Sequence, residues 1–266
     1  MINETNPHQR LWRLLKGMLS LPGGPGRIVL AFAYGILCHL IFAAAVGAMI
    51  AAMFFGMSES FGNVPYPWAI AVNSLLIIQF PIMHSLLLTA RGGRILQSLA
   101  PKGTAKTLST TTYAIVASFQ LLLLFAFWTP TGIIWWRAEG MVFYLICAAY
   151  TLSWLLLIKA SYDAGAEVQS GALGWMSLAQ DKRPVFPDMP TGGLFKFIRQ
   201  PIYVSFALTT WTVPVWTPDQ LVLATSLTAY CLLAPILKER RFKQRYGKRF
   251  EAYRRLVPYA VPKLRK

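Results

Sequence analysis

Acid is scarce in this sequence. Ten Asp and Glu stand against 26 Lys and Arg among 266 residues, a formal net charge of +16. Charged residues of either sign make up only 14%, where a soluble domain carries about 25%. So greasy a chain is not a disordered polyelectrolyte, nor does it read as an ordinary soluble globule. Cysteine is also rare. Cys38, Cys147 and Cys231 each stand alone in an apolar stretch, which excludes a disulfide framework or a cysteine-based metal site and suits small buried apolar residues. Internal repeats and low-complexity tracts are missing. What remains is 55% hydrophobic and 14% aromatic. Either the basic excess binds nucleic acid, or it flanks membrane spans, and its positions decide.

Long charge-free runs cover Ile28–Met57, Tyr66–Ala90, Leu108–Pro130 and Gly140–Ile158. About 20 apolar residues cross a bilayer, so each run reads as a span. The first is too long for the apolar region of a signal peptide. A last apolar stretch, Gln200–Leu237, is interrupted near Pro214–Asp219. Its halves of about 18 residues predict a tight helical hairpin. The fold class is thus all-α, a polytopic membrane bundle of five to six spans ending in a basic amphipathic C-terminal helix. The expected organisation is an N-terminal segment 1–27, transmembrane helices over 28–161, a loop or lid over 162–199, and a C-terminal hairpin with its tail over 200–266.

The basic residues sort by loop. Arg10, Arg13, Lys16 and Arg27 precede the first span. Arg91, Arg94, Lys102 and Lys106 follow the second, Lys159, Lys182, Arg183, Lys196 and Arg199 follow the fourth, and twelve lie from Lys238 onward. The intervening loops hold only Arg137. Counts that alternate with the loops predict both termini in the cytoplasm, in an inner membrane if the source is bacterial. Nucleic acid is then an unneeded partner, and the cationic tail faces anionic lipid headgroups. Tyr66, Trp68, Trp128, Trp135, Trp136 and Trp216 fall at outer ends, where amphipathic rings form an interfacial belt.

Polar groups at depth come next. Ala43, Gly47 and Ala51 place small residues every fourth position, a spacing that admits a close helix neighbour. Asn73 and His84, eleven residues apart, share a helical face. They serve either a helix–helix hydrogen bond or a pocket. His39 and His84 raise the idea of haem, but they sit about 16 Å and about 9 Å from the cytoplasmic end of their spans at 1.5 Å per residue, so depth argues against an axial pair. Neither belongs to a metal site. Lys159 and Asp163, four apart, predict a local ion pair.

Three features cluster toward the C-terminus. Arg199-Gln200-Pro201-Ile202-Tyr203 opens a span, with proline at the helix start where its missing N–H is harmless. Lys238-Glu239-Arg240-Arg241-Phe242 leaves the next span, and a hairpin brings Arg199 and Glu239 to one membrane face. From spacing alone, Arg199 reads as a snorkelling arginine or as a guanidinium that holds a carboxylate or phosphate. Glu239 reads as charge compensation or as the receiver of a ligand ammonium. Phe242, Tyr246, Phe250 and Tyr253 recur at helical spacing, in a segment that ends at Val257-Pro258.

Together these features resemble the integral-membrane methyltransferase superfamily that contains isoprenylcysteine carboxyl methyltransferase. Its pattern is Arg-His-Pro-x-Tyr, then Glu-Glu-x-x-Leu-x-x-x-Phe-Gly-x-x-Tyr-x-x-Tyr-x-x-x-Val-Pro after the next span. Arg199, Pro201, Tyr203, Glu239, Gly247, Tyr253, Val257 and Pro258 keep it. The segment Gln79–Leu86, with His84 and the following Arg91, resembles methanethiol S-methyltransferase and NnrU-like proteins. The resemblance implies S-adenosylmethionine as methyl donor, held by Gln200, Pro201, Tyr203, Glu239 and Tyr253, with Arg199, Tyr203 and His84 in the chemistry. It implies a thiol or another small lipophilic nucleophile as acceptor. The sequence departs from the pattern at Gln200 for His, Lys238 for the first Glu, Ser205 for Gly, Tyr246 for Phe and Phe250 for Tyr. Gln200 can hydrogen-bond but cannot take a proton, and Lys238 reverses a charge. The alternative is therefore a catalytically degenerate relative that serves as a subunit or assembly factor of a membrane complex.

Overall fold

The computed structural model describes residues 6–262. Along the chain come α1 (Pro7–Gly17), α2 (Pro25–Phe54), α3 (Trp68–Leu87), α4 (Ala90–Ser98), α5 (Ser109–Ala126), the short strand β1 (Trp136–Arg137), α6 (Gly140–Gln169) and α7 (Ala172–Ala179). A 3-10 turn, Gly193–Lys196, leads to α8 (Pro201–Trp211), β2 (Val215–Trp216), α9 (Pro218–Tyr246) and α10 (Lys248–Leu256). Five helices, α2, α3, α5, α6 and α9, are long and apolar enough to cross a membrane. The chain is an all-α polytopic membrane bundle. Lys263, Arg265 and Lys266 of the basic tail lie outside the described residues.

The helix ends follow local chemistry. The Thr217 hydroxyl accepts from the Gln220 N–H at 2.9 Å, ahead of Pro218 at the first turn and Asp219 beside it, a strong N-terminal signature. The Thr89 hydroxyl caps α4 in the same way, accepting from the Gly92 N–H at 3.1 Å. α9 ends at Gly247, whose φ of 50° and ψ of −124° lie in a region open to glycine.

The chain forms two compact units. The first contains the chain up to Ala52, Glu59–Pro130 and Gly165–Phe186. Here Asn73 settles into a structural role. Its amide donates to the Thr129 carbonyl at 2.8 Å and accepts from the Thr129 N–H at 2.9 Å, tying α3 to the end of α5. Gln79 and Gln120 donate to each other's backbone carbonyls at 3.0 and 3.3 Å. The Trp175 indole donates to His39 Nε2 at 3.1 Å and lies so close to α2 that a Cβ on Gly35 would meet its ring at 2.6 Å. Near the N-terminus, Arg10 Nε meets the Glu167 carboxylate at 2.9 Å, both side chains nearly buried.

Ala43, Gly47 and Ala51 do not form the expected helix contact. All three are exposed, and the Cβ position of Gly47 has nothing within 4 Å. The buried face of α2 is instead Ala31, Cys38, Ala45, Met49 and Ala52. Trp128 is also no belt residue. It is 2% exposed, because the chain turns back at this point and the Ser60 hydroxyl donates to its carbonyl. Trp68, Trp135 and Trp136 are exposed as a belt requires.

The second unit contains Met53–Ser58, Thr131–Ala164 and the chain from Pro187. Lys159 pairs with Asp163, which also accepts from the Leu194 N–H at 2.8 Å. The segment after the fourth span is not one long loop. α6 continues to Gln169 across a non-helical Gly165 (φ 110°), and α7 follows.

The hairpin differs from its expectation of two similar halves. α8 has 11 residues and α9 has 29. Eleven residues rise about 16 Å, roughly half of the ~30 Å hydrocarbon core. The chain then continues non-helically through 212–217, which adds at most about 20 Å. The two runs are antiparallel, as bonds from Trp211 Nε1 to Thr228 Oγ1 (2.8 Å) and from Gln200 Nε2 to Glu239 Oε1 (2.8 Å) show. Two Pro residues, Pro214 and Pro218, and the β-branched Thr212, Val213, Val215 and Thr217 around them explain the lost helix. The irregular backbone is satisfied internally. β2 pairs antiparallel with β1, Trp136 opposite Trp216. Gln220 Nε2 donates to the Thr210 carbonyl at 2.6 Å. Val213, Val215 and Thr217 are buried. Non-helical backbone at membrane depth is tolerated only where protein covers it in this way.

Candidate functional site

The site lies wholly in the second unit, where the N-terminus of α8, the C-terminal third of α9 and α10 meet. Pro201 fills the first position of α8 and is buried. Arg199 and Gln200, just before it, have backbone N–H groups without helical partners. The returning tail supplies them. Arg199 N–H donates to the Pro258 carbonyl at 2.9 Å, and Gln200 N–H to the Tyr259 carbonyl at 3.1 Å. The Gly247 break allows this return, turning the chain so that α10 folds back over α9.

Arg199 is the hub. Its Nε donates to Glu239 Oε1 at 2.8 Å and its Nη2 to Oε2 at 3.4 Å. Its Nη1 donates to the carbonyls of Arg254 (3.1 Å) and Val257 (2.6 Å). Those carbonyls belong to the end of α10, where a cation also meets the favourable end of the helix dipole. One guanidinium fork thus ties α8, α9 and α10 together, a task suited to arginine and not to lysine. All of these donors are committed to groups of the chain itself.

Glu239 also accepts from Gln200 Nε2 at 2.8 Å. Gln200 is fully buried, and its other amide atom, Oε1, accepts from Lys238 Nζ at 3.0 Å. The Lys238 ammonium stands 5.6 Å from the ring centre of Phe195, 5.7 Å from Tyr203 and 5.5 Å from Phe242. Each lies within the ~6 Å over which ring faces attract cations. The Tyr253 hydroxyl donates to the Phe195 carbonyl at 2.7 Å. Burial raises the Tyr253 phenol well above its ordinary pKa, so it stays protonated and keeps donating.

Two cavities adjoin this cluster. One, of about 10 Å³, lies among Phe195, Arg199, Gln200, Lys238, Glu239 and Tyr253. That volume admits about one water, because Lys238 fills the space. The other, of about 160 Å³, is an apolar groove between α8 and α9 walled by Gln200, Tyr203, Ala207, Trp211, Cys231 and Tyr259.

The structure therefore brings Arg199, Gln200, Pro201, Tyr203, Glu239 and Tyr253 together. His84 belongs to the first unit. It packs against Phe80 and Tyr113, and its carbonyl accepts from the Tyr113 hydroxyl at 3.3 Å. It lines neither cavity. The sequence reading missed three contributors. Phe242 was legible, since it stands four residues after Lys238 and shares its helical face. Phe195 and Tyr259 were not, because they reach the site from a short 3-10 turn and from the returning tail. The expected aromatic stripe is split by Gly247. Phe242 contacts Tyr246 within α9 at 5.4 Å and Phe250 across the break at 6.0 Å, both edge-on.

S-adenosylmethionine carries two onium groups, an ammonium and a sulfonium. Three ring faces, a carboxylate and a buried amide suit such a cation, and an ammonium already stands there. The chemistry of the site fits the donor, while Lys238 takes its space.

No family model matches the chain, and no solved structure matches it. Among curated proteins it is similar to methanethiol S-methyltransferase 1 of Bradyrhizobium diazoefficiens, 26% identical over 239 residues, covering 88% of this chain and 82% of that protein. It is similar to methanethiol S-methyltransferase 2 of the same organism, 29% identical over 74% of each chain. It is also similar to nurim of Xenopus laevis, 27% identical over 66% of this chain and 63% of that protein. By these likenesses the chain is similar to membrane methanethiol S-methyltransferases and to nurim, and its C-terminal motifs resemble those of the isoprenylcysteine carboxyl methyltransferase superfamily.

Proposed function

We propose that this chain is an integral-membrane methyltransferase that moves the methyl group of S-adenosylmethionine to a small lipophilic thiol. One observation carries the reading. A polar cluster suited to an onium and an apolar groove suited to a hydrocarbon share Gln200 and Tyr203 as common wall. Methyl displacement at a sulfonium needs alignment more than covalent help, and adjoining sites of opposite polarity provide it. The names of the relatives support the thiol as acceptor.

S-adenosylmethionine supplies an electrophilic methyl group when bound. Glu239, Gln200 and the ring faces of Phe195, Tyr203 and Phe242 would hold it, roofed by Tyr253 and α10. Arg199 acts through Glu239, fixing the carboxylate by a two-point contact. The groove, with walls almost wholly apolar, keeps water from the acceptor. Both termini are proposed to face the cytoplasm of a bacterial inner membrane. The half-helix α8 and the 212–217 segment then complete an even number of crossings.

The test is methyl transfer in detergent. Protein incubated with methyl-labelled donor and a series of short alkyl thiols is expected to yield labelled thioethers, fastest for chains that fit about 160 Å³. Donor binding without transfer to any thiol would overturn the acceptor assignment. The second reading, a degenerate relative acting within a membrane complex, is favoured by one observation: Lys238 already fills the onium position. Labelled product would exclude it.

A further inference from the structure

We propose that Phe195, Tyr203 and Phe242, with the Gln200 side-chain amide oxygen, form an onium cage whose resident occupant is the chain's own Lys238, which an incoming onium must displace. The occupancy rests on four contacts: 3.0 Å to Gln200 Oε1 and 5.5–5.7 Å to the three ring centres. These contacts come from three separate elements, the 3-10 turn, α8 and α9. Their convergence is not a by-product of helical spacing.

Lys238 is half-buried and lacks a direct ion pair among the described residues. The neighbouring carboxylate of Glu239 is engaged by Arg199 and by Gln200 Nε2, and Lys238 makes no described ion pair with it. Its direct contacts are ring faces and one amide oxygen, with Glu239 attracting it only across a gap. Lysine reaches its position on a flexible four-carbon stem. It stands near the end of α9, beside the basic run Arg240–Arg241, from which it can extend toward headgroups. Departure is therefore feasible, and it vacates both the volume and the charge that oppose an onium. A second cation among the same rings would meet Lys238 as a like charge at close range.

The proposal builds on the methyl-donor reading and deepens it. Lys238 becomes the residue that sets affinity for the cationic donor relative to its neutral-sulfur product. A neutral residue of similar volume, Lys238→Met, removes the charge, and Lys238→Ala removes charge and volume. Both variants are compared with the parent for melting temperature to verify folding.

The experiment uses two probes. Trimethylsulfonium chloride is titrated in parallel with sodium chloride of equal ionic strength, reading the shift in melting temperature. S-adenosylmethionine and S-adenosylhomocysteine are titrated by calorimetry. Trimethylsulfonium is expected to stabilise folded Lys238→Ala and not the parent. S-adenosylmethionine is expected to bind Lys238→Ala roughly tenfold tighter than the parent, with a smaller gain for S-adenosylhomocysteine and for Lys238→Met. A folded Lys238→Ala that responds to neither probe more than the parent does overturns the cage. Trimethylsulfonium bound without any binding of S-adenosylmethionine supports the cage and overturns the methyl-donor reading instead.

Discussion

Arg199 and Glu239 act as one part. Their side chains are 11% and 14% exposed, so removing one partner strands a charge in a poorly solvated place. Glu239→Ala leaves the Arg199 fork with half its acceptors and is expected to destabilise by about 3 kcal/mol, read as a lower melting temperature. Arg199→Lys keeps the charge and loses the two-point geometry. It is expected to lose about 1–3 kcal/mol. An unchanged melting temperature in Arg199→Lys would show that the fork does not hold the three helices. Both residues were legible in sequence, since each holds a motif position and the hairpin brings them to one face. The occupancy of the cage was not legible. Lys238 reads locally as one more cation in a basic tail. Only the fold shows that Phe195 and Tyr203 approach it from far along the chain.

The elements depend on a few backbone positions. Gly247 separates α9 from α10 with φ 50° and ψ −124°, and nothing lies within 4 Å of its Cβ position. Gly247→Ala therefore introduces no clash, only an unfavourable conformation of about 1–3 kcal/mol. Its expected effect is a loosened α10, seen as faster proteolysis near Lys248–Leu256. Gly47→Ala, on an exposed helical face, is expected to be neutral or slightly stabilising. α10 has a second tether in Asp188, which pairs with Arg249 at 2.6 Å. Burial alone would raise the Asp188 carboxyl, but the Met189 N–H and the guanidiniums of Arg249 and Arg245 bring it below its ordinary value. A carboxyl lowered on folding stabilises above its unfolded pKa of about 3.9. That stabilisation is lost as pH falls through the lower, folded value. Arg249 is half exposed, so the contribution is at most about 1 kcal/mol. Protection of α10 from acid protease is expected to fall below about pH 4, and to fall less in Asp188→Asn. Helix existence was legible at this scale from charge-free runs. The short α8 was not, because an apolar run has the same composition whether it is helical or extended. The Pro-bounded, β-branched stretch after Trp211 was the available signal.

At the scale of the whole molecule, the excess of positive charge is a statement about topology. Of 26 basic residues, only Arg137 falls in a loop assigned to the outer face. A C-terminal green fluorescent fusion is expected to fluoresce, and a C-terminal alkaline phosphatase fusion to be inactive. The opposite pair of results would reverse the orientation. Five long helices alone would put the termini on opposite sides. On the proposed orientation, the half-helix α8 with its extended continuation supplies the further crossing that an even count needs. Lys238, which stands in the candidate site, is the first residue of the basic tail. The most direct measurement of the central claim is calorimetric titration of S-adenosylmethionine into the detergent-purified protein and its Glu239→Ala variant. Saturable binding to the parent is expected, weakened roughly tenfold or more in the variant. Absence of binding to the folded parent at millimolar donor, or equal affinity in both proteins, would contradict that claim.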